Sequence, residues 1–198
     1  MNRLSTSRGA VGFTVKSGWT CAVLLAGSPE APRVIDARRI DLSDPAIPDA
    51  RQPYHAGFGT ARGQGKELTR LVTSVQRFGH RSMDDVLQTY EASGSRIVGS
   101  GIVVGSLTDP DTIRNDHIRI HALEGRLFRR IVAEAAERKG LRCVIWREKD
   151  LYRTAADLLK QPEPKVRDCI TALGRTVDGP WRAEQKTAAL AAWLVLTQ

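Results

Sequence analysis

The opening part of the chain alternates between short apolar runs and turn-forming residues. Residues 12–15 and 19–25 are rich in β-branched, aromatic and other apolar side chains, and they flank a small turn at 16–18. Two such runs joined by a glycine-containing turn predict a β-hairpin. Residues 33–42, in which Val34 and Ile40 share one face, predict a third strand. Three consecutive strands with short connections predict an antiparallel meander.

Residues 43–65 have a different character, because they carry three prolines and four glycines and no periodic apolar pattern. A segment of this kind predicts a long loop that is functional or mobile. Residues 1–10 are interpreted as a flexible N-terminal arm. The remainder, residues 11–198, is interpreted as a single domain that contains the long loop.

Apolar residues recur at intervals of three and four in much of the remaining chain, which is typical of amphipathic helices. Helices are predicted at 66–78, 83–92, 115–139, 150–159, 165–173 and 182–196. Gly79 is expected to end the first of these helices, and Ser82 to cap the second. The apolar runs 96–107 and 141–146 predict two buried strands.

With consecutive helices grouped together, the element order is β-β-β-α-β-α-β-α. A meander followed by two right-handed crossovers predicts an α/β fold, with a mixed five-stranded sheet and helices on both faces. The closing helix, 182–196, is rich in alanine. This pattern resembles the ribonuclease H-like fold, and its topology is most similar to Holliday-junction resolvases of the RuvC type. The resemblance covers residues 11–197.

In resolvases of this type the first strand ends in a hydrophobic–Asp–x–Gly turn, and further acids follow the fourth strand and begin the last helix. Here residues 15–18 read VKSG, so Lys16 stands where the aspartate is expected. Residues 102–106 contain no acid, and only Glu184 remains near the start of the last helix. Two Mg²⁺ ions about 3.5–4 Å apart need several carboxylates. The resemblance therefore implies that metal-dependent cleavage is lost and that no cofactor is held. An active nuclease with Mg²⁺ and an atypical acid set is the alternative.

A second resemblance concerns the residues Arg62-Gly63-Gln64 in the long loop. The middle domain of class-one peptide release factors of eukaryotes and archaea carries a Gly-Gly-Gln loop in a comparable position. That loop positions water for peptidyl-tRNA hydrolysis. The resemblance implies a further alternative, a ribosome-associated hydrolase that uses Gln64, although the first glycine of the motif is replaced.

His117, His121 and Glu124 lie at i, i+4 and i+7, on one face of the predicted helix 115–139. Two imidazoles and a carboxylate suit zinc. The same face continues into apolar residues, so the preferred interpretation is structural. The histidines are expected to bond to loop backbone and Glu124 to pair with an arginine, and no metal site is predicted.

The loop segment 51–55, RQPYH, combines polar and aromatic side chains. Functional residues concentrate on such loops. His55 could act as a general acid or base near neutral pH. The preferred interpretation is that Tyr54 anchors the loop to the sheet and that His55 is a solvated neighbour.

Composition adds charge to this picture. The chain has 41% hydrophobic and 26% charged residues, which is typical of a globular protein, and a formal net charge of +8. This surplus favours contact with phosphate or another acidic surface. The basic residues of helix 115–139, Arg126 among them, could follow a phosphate backbone or form an ordinary solvated face.

The three cysteines lie far apart and form no CxxC pair, so a zinc knuckle is not expected. No signal-peptide-like apolar region precedes the first strand, and no apolar run is long enough to cross a membrane. These features predict a cytoplasmic protein without a membrane partner.

The favoured function is a non-catalytic ribonuclease H-like domain that binds DNA, RNA or a protein partner such as the ribosome. Nucleic-acid or anion contacts are assigned to Lys16, Ser17, Arg51, Arg126 and Lys186. The candidates for catalysis, should the chain be a hydrolase, are Glu124, Glu184, His55 and Gln64. His117, His121 and Tyr54 complete the expected polar cluster. Within it Lys16 could pair with Glu124 or Glu184, or lie free in an open cleft that would suit an anionic ligand.

Overall fold

A computed structural model describes residues 7–57 and 60–198. The predicted meander is present as β1 (Arg8–Lys16), β2 (Trp19–Ser28) and β3 (Ala31–Asp41). Gly18 has φ +81° in the β1–β2 turn, a backbone conformation that glycine adopts without strain. Strand β1 begins at Arg8, so residues 8–10 of the predicted arm are part of the sheet. Residues 1–6 of that arm lie outside the described residues.

The predicted long loop contains more structure than its composition indicates. Residues Pro48–Arg51 form a 3₁₀ turn, and β4 (His55–Gly57) pairs antiparallel with β5 (Thr60–Ala61). The Arg62 backbone amide also donates to the Tyr54 carbonyl oxygen over 2.7 Å. This small hairpin carries His55 to the surface of the domain.

The helix that follows, α1 (Lys66–Glu91), is continuous, so the predicted break at Gly79 and the predicted cap at Ser82 are wrong. Gly79 serves packing instead. A Cβ at this position would lie 2.9 Å from Ile131 Cγ2 and 3.0 Å from the Leu42 carbonyl oxygen. The glycine therefore allows close packing of α1 against its neighbours, which offsets its low helix propensity.

The second half of the chain builds the parallel part of the sheet and its helices. Its elements are β6 (Arg96–Val104), α2 (Asp116–Arg138), β7 (Cys143–Arg147), α3 (Leu151–Leu159), α4 (Glu163–Leu173) and α5 (Ala183–Leu196). The strand order is β3-β2-β1-β6-β7, with β6 parallel to both β1 and β7. The predicted mixed five-stranded sheet is confirmed.

Each face of the sheet has its own hydrophobic core. On one face α1 and α2 bury residues such as Leu71, Phe128 and Ile131 against Phe13 of β1. On the other face α5 lies against the sheet, and α3 and α4 cover α5. Gly12 permits this approach, because a Cβ there would overlap the Ala188 carbonyl of α5.

Helix α5 has 14 residues, and after its polar first turn it is buried on all sides from Thr187 to Leu196, which is why this part is almost entirely apolar. Across the described residues, no helix combines the length and hydrophobicity that a membrane span requires.

Candidate functional site

Strands β1 and β6 run in the same direction and end at the same edge of the sheet, where Thr14 pairs with Val103. The first turn of α5 lies beside them, because the Thr14 hydroxyl donates to the Glu184 carbonyl oxygen over 3.0 Å. Ligand sites of open α/β sheets lie outside the carboxyl ends of the strands. This edge is therefore the first place to look for a site.

A cavity of about 430 Å³, here called the strand-end cavity, opens at this edge. Its walls are mostly apolar side chains, with a few polar groups among them. The lining includes Val15, Lys16, Ser17, Ile118, His121 and Ala122. Among the described residues that line it, none carries a carboxylate. The cavity thus lacks the ligand type that Mg²⁺ requires.

Lys16 lies at the cavity and forms an ion pair, with Nζ 3.0 Å from Glu148 Oε2. Lys16 is therefore neither paired with Glu124 or Glu184 nor free, so both alternatives are wrong. Glu148 directly follows β7, which lies next to β6 in the sheet, so the fold brings two strand ends together. The two side chains are 33% and 40% exposed, and such an accessible pair contributes roughly 0–1 kcal/mol to stability.

The other residues assigned to this edge are more dispersed. Ser17 lines the strand-end cavity. Arg51 packs against the β1–β2 turn, since a Cβ on Gly18 would lie 2.6 Å from Arg51 Cγ, and it faces a neighbouring depression that includes Asp41. Lys186 lies near the start of α5 and is not part of the cavity lining.

The basic residues predicted on α2 are largely neutralised by neighbouring acids. Arg126 Nη1 lies 3.4 Å from a carboxylate oxygen of both Asp109 and Asp111. Further ion pairs join Arg119 to Asp116, Arg130 to Glu134, Arg138 to Asp84 and Lys139 to Glu91. This helix therefore offers phosphate less free charge than its sequence indicates.

A histidine cluster, formed by His55, His117 and His121, adjoins the strand-end cavity through His121. His117 and His121 lie one helical turn apart near the start of α2, and their ring centroids are 4.6 Å apart. His55 reaches them from the β4–β5 hairpin, with its ring centroid 5.0 Å from that of His121. The spacing of residues along the sequence could place only His117 and His121 next to each other, because His55 lies in a distant segment.

Glu124 lies beneath this cluster and is fully buried. His55 Nδ1 is 2.8 Å from its Oε1, so Glu124 pairs with a histidine and not with an arginine as predicted. His55 is 12% exposed and is not the solvated neighbour that was expected, whereas Tyr54 does pack against the core. Burial raises the pKa of Glu124, and His55 opposes this rise.

The histidines sit close enough to influence each other. Partial burial lowers the pKa of His121, and the neighbouring His55 and His117 lower it further. The neutral imidazole form is therefore favoured at His121. A neutral imidazole is the form that binds a metal ion.

Gln64 lies in the exposed turn between β5 and α1. Among the described residues its side chain makes no hydrogen bond to the histidine cluster or to the strand-end cavity. A role for Gln64 in hydrolysis stays a prediction.

A basic surface that the sequence interpretation missed lies on α1. Lys66, Arg70, Arg77 and Arg81 are all exposed and occur at i, i+4, i+11 and i+15, which places them on one helix face. We call this surface the α1 basic face. Ion pairs of α1 in the described structure use Glu67, His80, Asp84 and Glu91 instead. The spacing of the four cations was the available signal.

Comparison with known proteins supports the fold. No protein-family model matches the chain, and no curated protein matches it. Two solved structures of RuvC from Thermus thermophilus, one in complex with a Holliday junction substrate, align with a TM-score of 0.54 at 10% identity. The alignments cover 94% of this chain and 91% and 92% of those chains. The chain therefore has the ribonuclease H-like fold, with the topology of the RuvC-type resolvases.

Proposed function

We propose that this chain is a non-catalytic ribonuclease H-like domain that binds nucleic acid. The observation that carries the non-catalytic part is the Lys16 ammonium group at the end of β1, 3.0 Å from Glu148. An ammonium group at this position cannot replace a carboxylate ligand of Mg²⁺, and the Glu148 carboxylate beside it is already paired. The absence of carboxylates from the described lining of the strand-end cavity supports the same conclusion.

Nucleic-acid binding rests on the α1 basic face. Lys66 and Arg81 are separated by 15 residues, which is roughly 22 Å along a helix with a rise of 1.5 Å per residue. Duplex DNA carries about one charge per 1.7 Å of axis, so a surface of this length can meet several phosphates. Exposed cations without carboxylate partners release counterions from the backbone most effectively, which favours binding.

The N-terminal end of the α1 basic face is level with the strand-end edge. On α1 and α2, His80 pairs with Glu134, and Asp84 pairs with Arg138. Both residues of the second pair lie four positions after those of the first, so the two helices run in the same direction. By this register Lys66 and Arg70 are level with the turn of α2 that carries His121 and Glu124. A bound strand that follows α1 would thus reach the strand-end cavity.

The test is a fluorescence anisotropy titration with single-stranded, duplex and four-way-junction DNA and with RNA, over a range of salt concentrations. The junction is included because one of the similar RuvC structures contains it. A variant combining Lys66→Gln, Arg70→Gln, Arg77→Gln and Arg81→Gln is expected to bind at least about tenfold more weakly. Its salt slope should fall by about 0.9 for each phosphate that the variant no longer neutralises.

A matched control removes the same number of charges elsewhere. Arg33→Gln, Lys160→Gln, Lys165→Gln and Arg175→Gln alter exposed cations away from α1. This control should retain most of the wild-type affinity. Equal weakening in both variants, or no binding by the wild type at low salt, would reject the proposed surface.

Catalysis is tested separately on the same substrates with Mg²⁺ or Mn²⁺. We expect no cleavage above background. Cleavage that disappears in Glu148→Gln or Glu184→Gln would show that the chain is a nuclease with an atypical acid set and would overturn the non-catalytic assignment.

A further inference from the structure

We propose that His55, His117 and His121 bind one divalent transition-metal ion such as Zn²⁺. The inference goes beyond nucleic-acid binding and rests on different residues. One potential ligand atom from each of the three side chains lies within 4.8 Å of the other two. The three ring centroids lie 4.6, 5.0 and 6.5 Å apart, and all three side chains line one surface depression next to the strand-end cavity.

Two separate segments supply the three ligands. His117 and His121 are adjacent on α2, and His55 comes from the β4–β5 hairpin. Arg62 secures that hairpin, since its guanidinium donates to the Pro53 carbonyl oxygen and to Asp49, each over 3.1 Å. The position of His55 is therefore held by the loop itself before any ion is bound.

Glu124 provides the support that metal-binding histidines usually have. Its Oε1 accepts a hydrogen bond from His55 Nδ1, which leaves His55 Nε2 as the free ligand atom. Its Oε2 is buried, has no hydrogen-bond partner among the described residues, and lies 4.0 Å from His121 Nδ1. Ligating histidines almost always donate their second N–H to a carboxylate, a carbonyl or water. A small movement of His121 on metal binding would satisfy this unpaired oxygen.

The required rearrangement is modest. Zn–N bonds of about 2.0–2.1 Å in a tetrahedral site place the nitrogen atoms roughly 3.4 Å apart. The histidine nitrogens must therefore move closer by about 1.4 Å at most. His117 is exposed and the His121 side chain is 49% exposed, so both can rotate toward the ion.

The ligand set defines the class of ion. Imidazole nitrogens suit Zn²⁺, Co²⁺, Ni²⁺ and Cu²⁺, whereas Mg²⁺ and Ca²⁺ prefer oxygen ligands. Three histidines leave the fourth tetrahedral position for water or for a ligand. The three histidines line the same depression as Gln52 and Arg62, whose polar side chains are available to contact a water or anion bound there.

The test uses the full chain without a polyhistidine tag, after removal of metal with a chelator. Calorimetric titration with ZnCl₂ is expected to show one ion per chain, and Zn²⁺ is expected to raise the melting temperature. CoCl₂ is expected to produce the visible absorption of tetrahedral Co²⁺. Excess Mg²⁺ should not displace the bound Co²⁺.

His117→Ala is the decisive variant, because an exposed side chain can be removed with little effect on folding. This variant should weaken Zn²⁺ binding at least about tenfold. Glu124→Gln should weaken Zn²⁺ binding about 10–100-fold, because a neutral amide is a weaker hydrogen-bond partner for His55 than the carboxylate. His80→Ala is the matched control. His80 is the remaining histidine of the chain and pairs with Glu134, so its removal should leave Zn²⁺ binding unchanged.

Three results would overturn the proposal. They are a stoichiometry well below one, Zn²⁺ affinity that survives both His117→Ala and His121→Ala, and a thiolate-to-Co²⁺ charge-transfer band. The last would place the ion on a cysteine. None of these results bears on the α1 basic face, so failure of the metal site and failure of nucleic-acid binding can be distinguished.

Discussion

His55 Nδ1 and Glu124 Oε1 lie 2.8 Å apart, and this contact ties the β4–β5 hairpin to a carboxylate on α2 that has no exposure to solvent. A second histidine–glutamate pair, His80 with Glu134, joins α1 to α2 over 3.1 Å but is partly exposed. The two pairs share their chemistry and differ in burial. Comparing them therefore shows how much burial adds to the contribution of such a pair to the free energy of unfolding.

Glu124→Ala should lower the free energy of unfolding by about 1–3 kcal/mol, because it leaves a buried donor on His55 without its partner. Glu134→Ala should change it by less than about 1 kcal/mol, since the corresponding pair is accessible to water. Urea denaturation of the metal-free variants measures both values. Equal effects would mean that the His55–Glu124 contact has no special weight in the fold.

Lys16 and Glu148 should be weakly coupled. Their side chains are 33% and 40% exposed, so a double-mutant cycle with Lys16→Met and Glu148→Gln is expected to give a coupling energy below about 1 kcal/mol. The coupling should shrink further at high salt. A coupling of several kcal/mol would show that the pair is a major structural element of the strand-end edge.

Two glycine substitutions should have opposite effects. Gly12→Ala places a methyl group against the backbone of α5 and should cost about 1–3 kcal/mol through overpacking. Gly125→Ala lies in the middle of α2, where no described residue outside the adjoining helix backbone comes within 4 Å of the new methyl group. This change should add about 0.5–1 kcal/mol to the stability through helix propensity. Thermal unfolding of the two variants checks the signs. Stabilisation by Gly12→Ala would contradict the close packing of β1 on α5.

The Cys21 thiol should resist alkylation in the folded protein. Burial raises its pKa to about 12, from an ordinary value of 9.0, so the thiolate population below pH 9 falls by about a thousandfold. Cys143 and Cys169 are only partly buried. Mass spectrometry after iodoacetamide treatment at pH 8 should therefore find Cys21 modified last, and only as the chain unfolds.

The same raised pKa predicts a loss of stability in alkali. Below pH 9 the Cys21 thiol is neutral in both states, whereas above it the unfolded chain ionises and the folded chain does not. Stability should fall as the pH rises from 9 toward 12. Tyr90, whose pKa is also raised by burial, adds to the fall above pH 10. Cys21→Ala should reduce the slope, and an unchanged slope would contradict the assignment.

The fold was largely predictable because its signals are local. Apolar periodicity located the meander, the parallel strands and most helices, and their order led to the ribonuclease H-like topology. The break predicted at Gly79 was wrong because local propensity cannot register that Ile131 and Leu42 approach this position. Packing with distant segments outweighed the low helix propensity of one glycine.

The amino-acid sequence by itself determined the order of elements, the presence of Lys16 in the turn after the first predicted strand run, and the shared helix face of His117 and His121. Only the tertiary structure decided that Lys16 meets Glu148 and that His55 joins the two helical histidines. It also decided that most arginines of α2 are paired with acids, whereas the lysine and arginines of α1 have no such pairs in the described structure. Secondary structure follows from side chains a few residues apart, whereas each of these contacts joins segments whose proximity is created by the packing of the sheet and its helices.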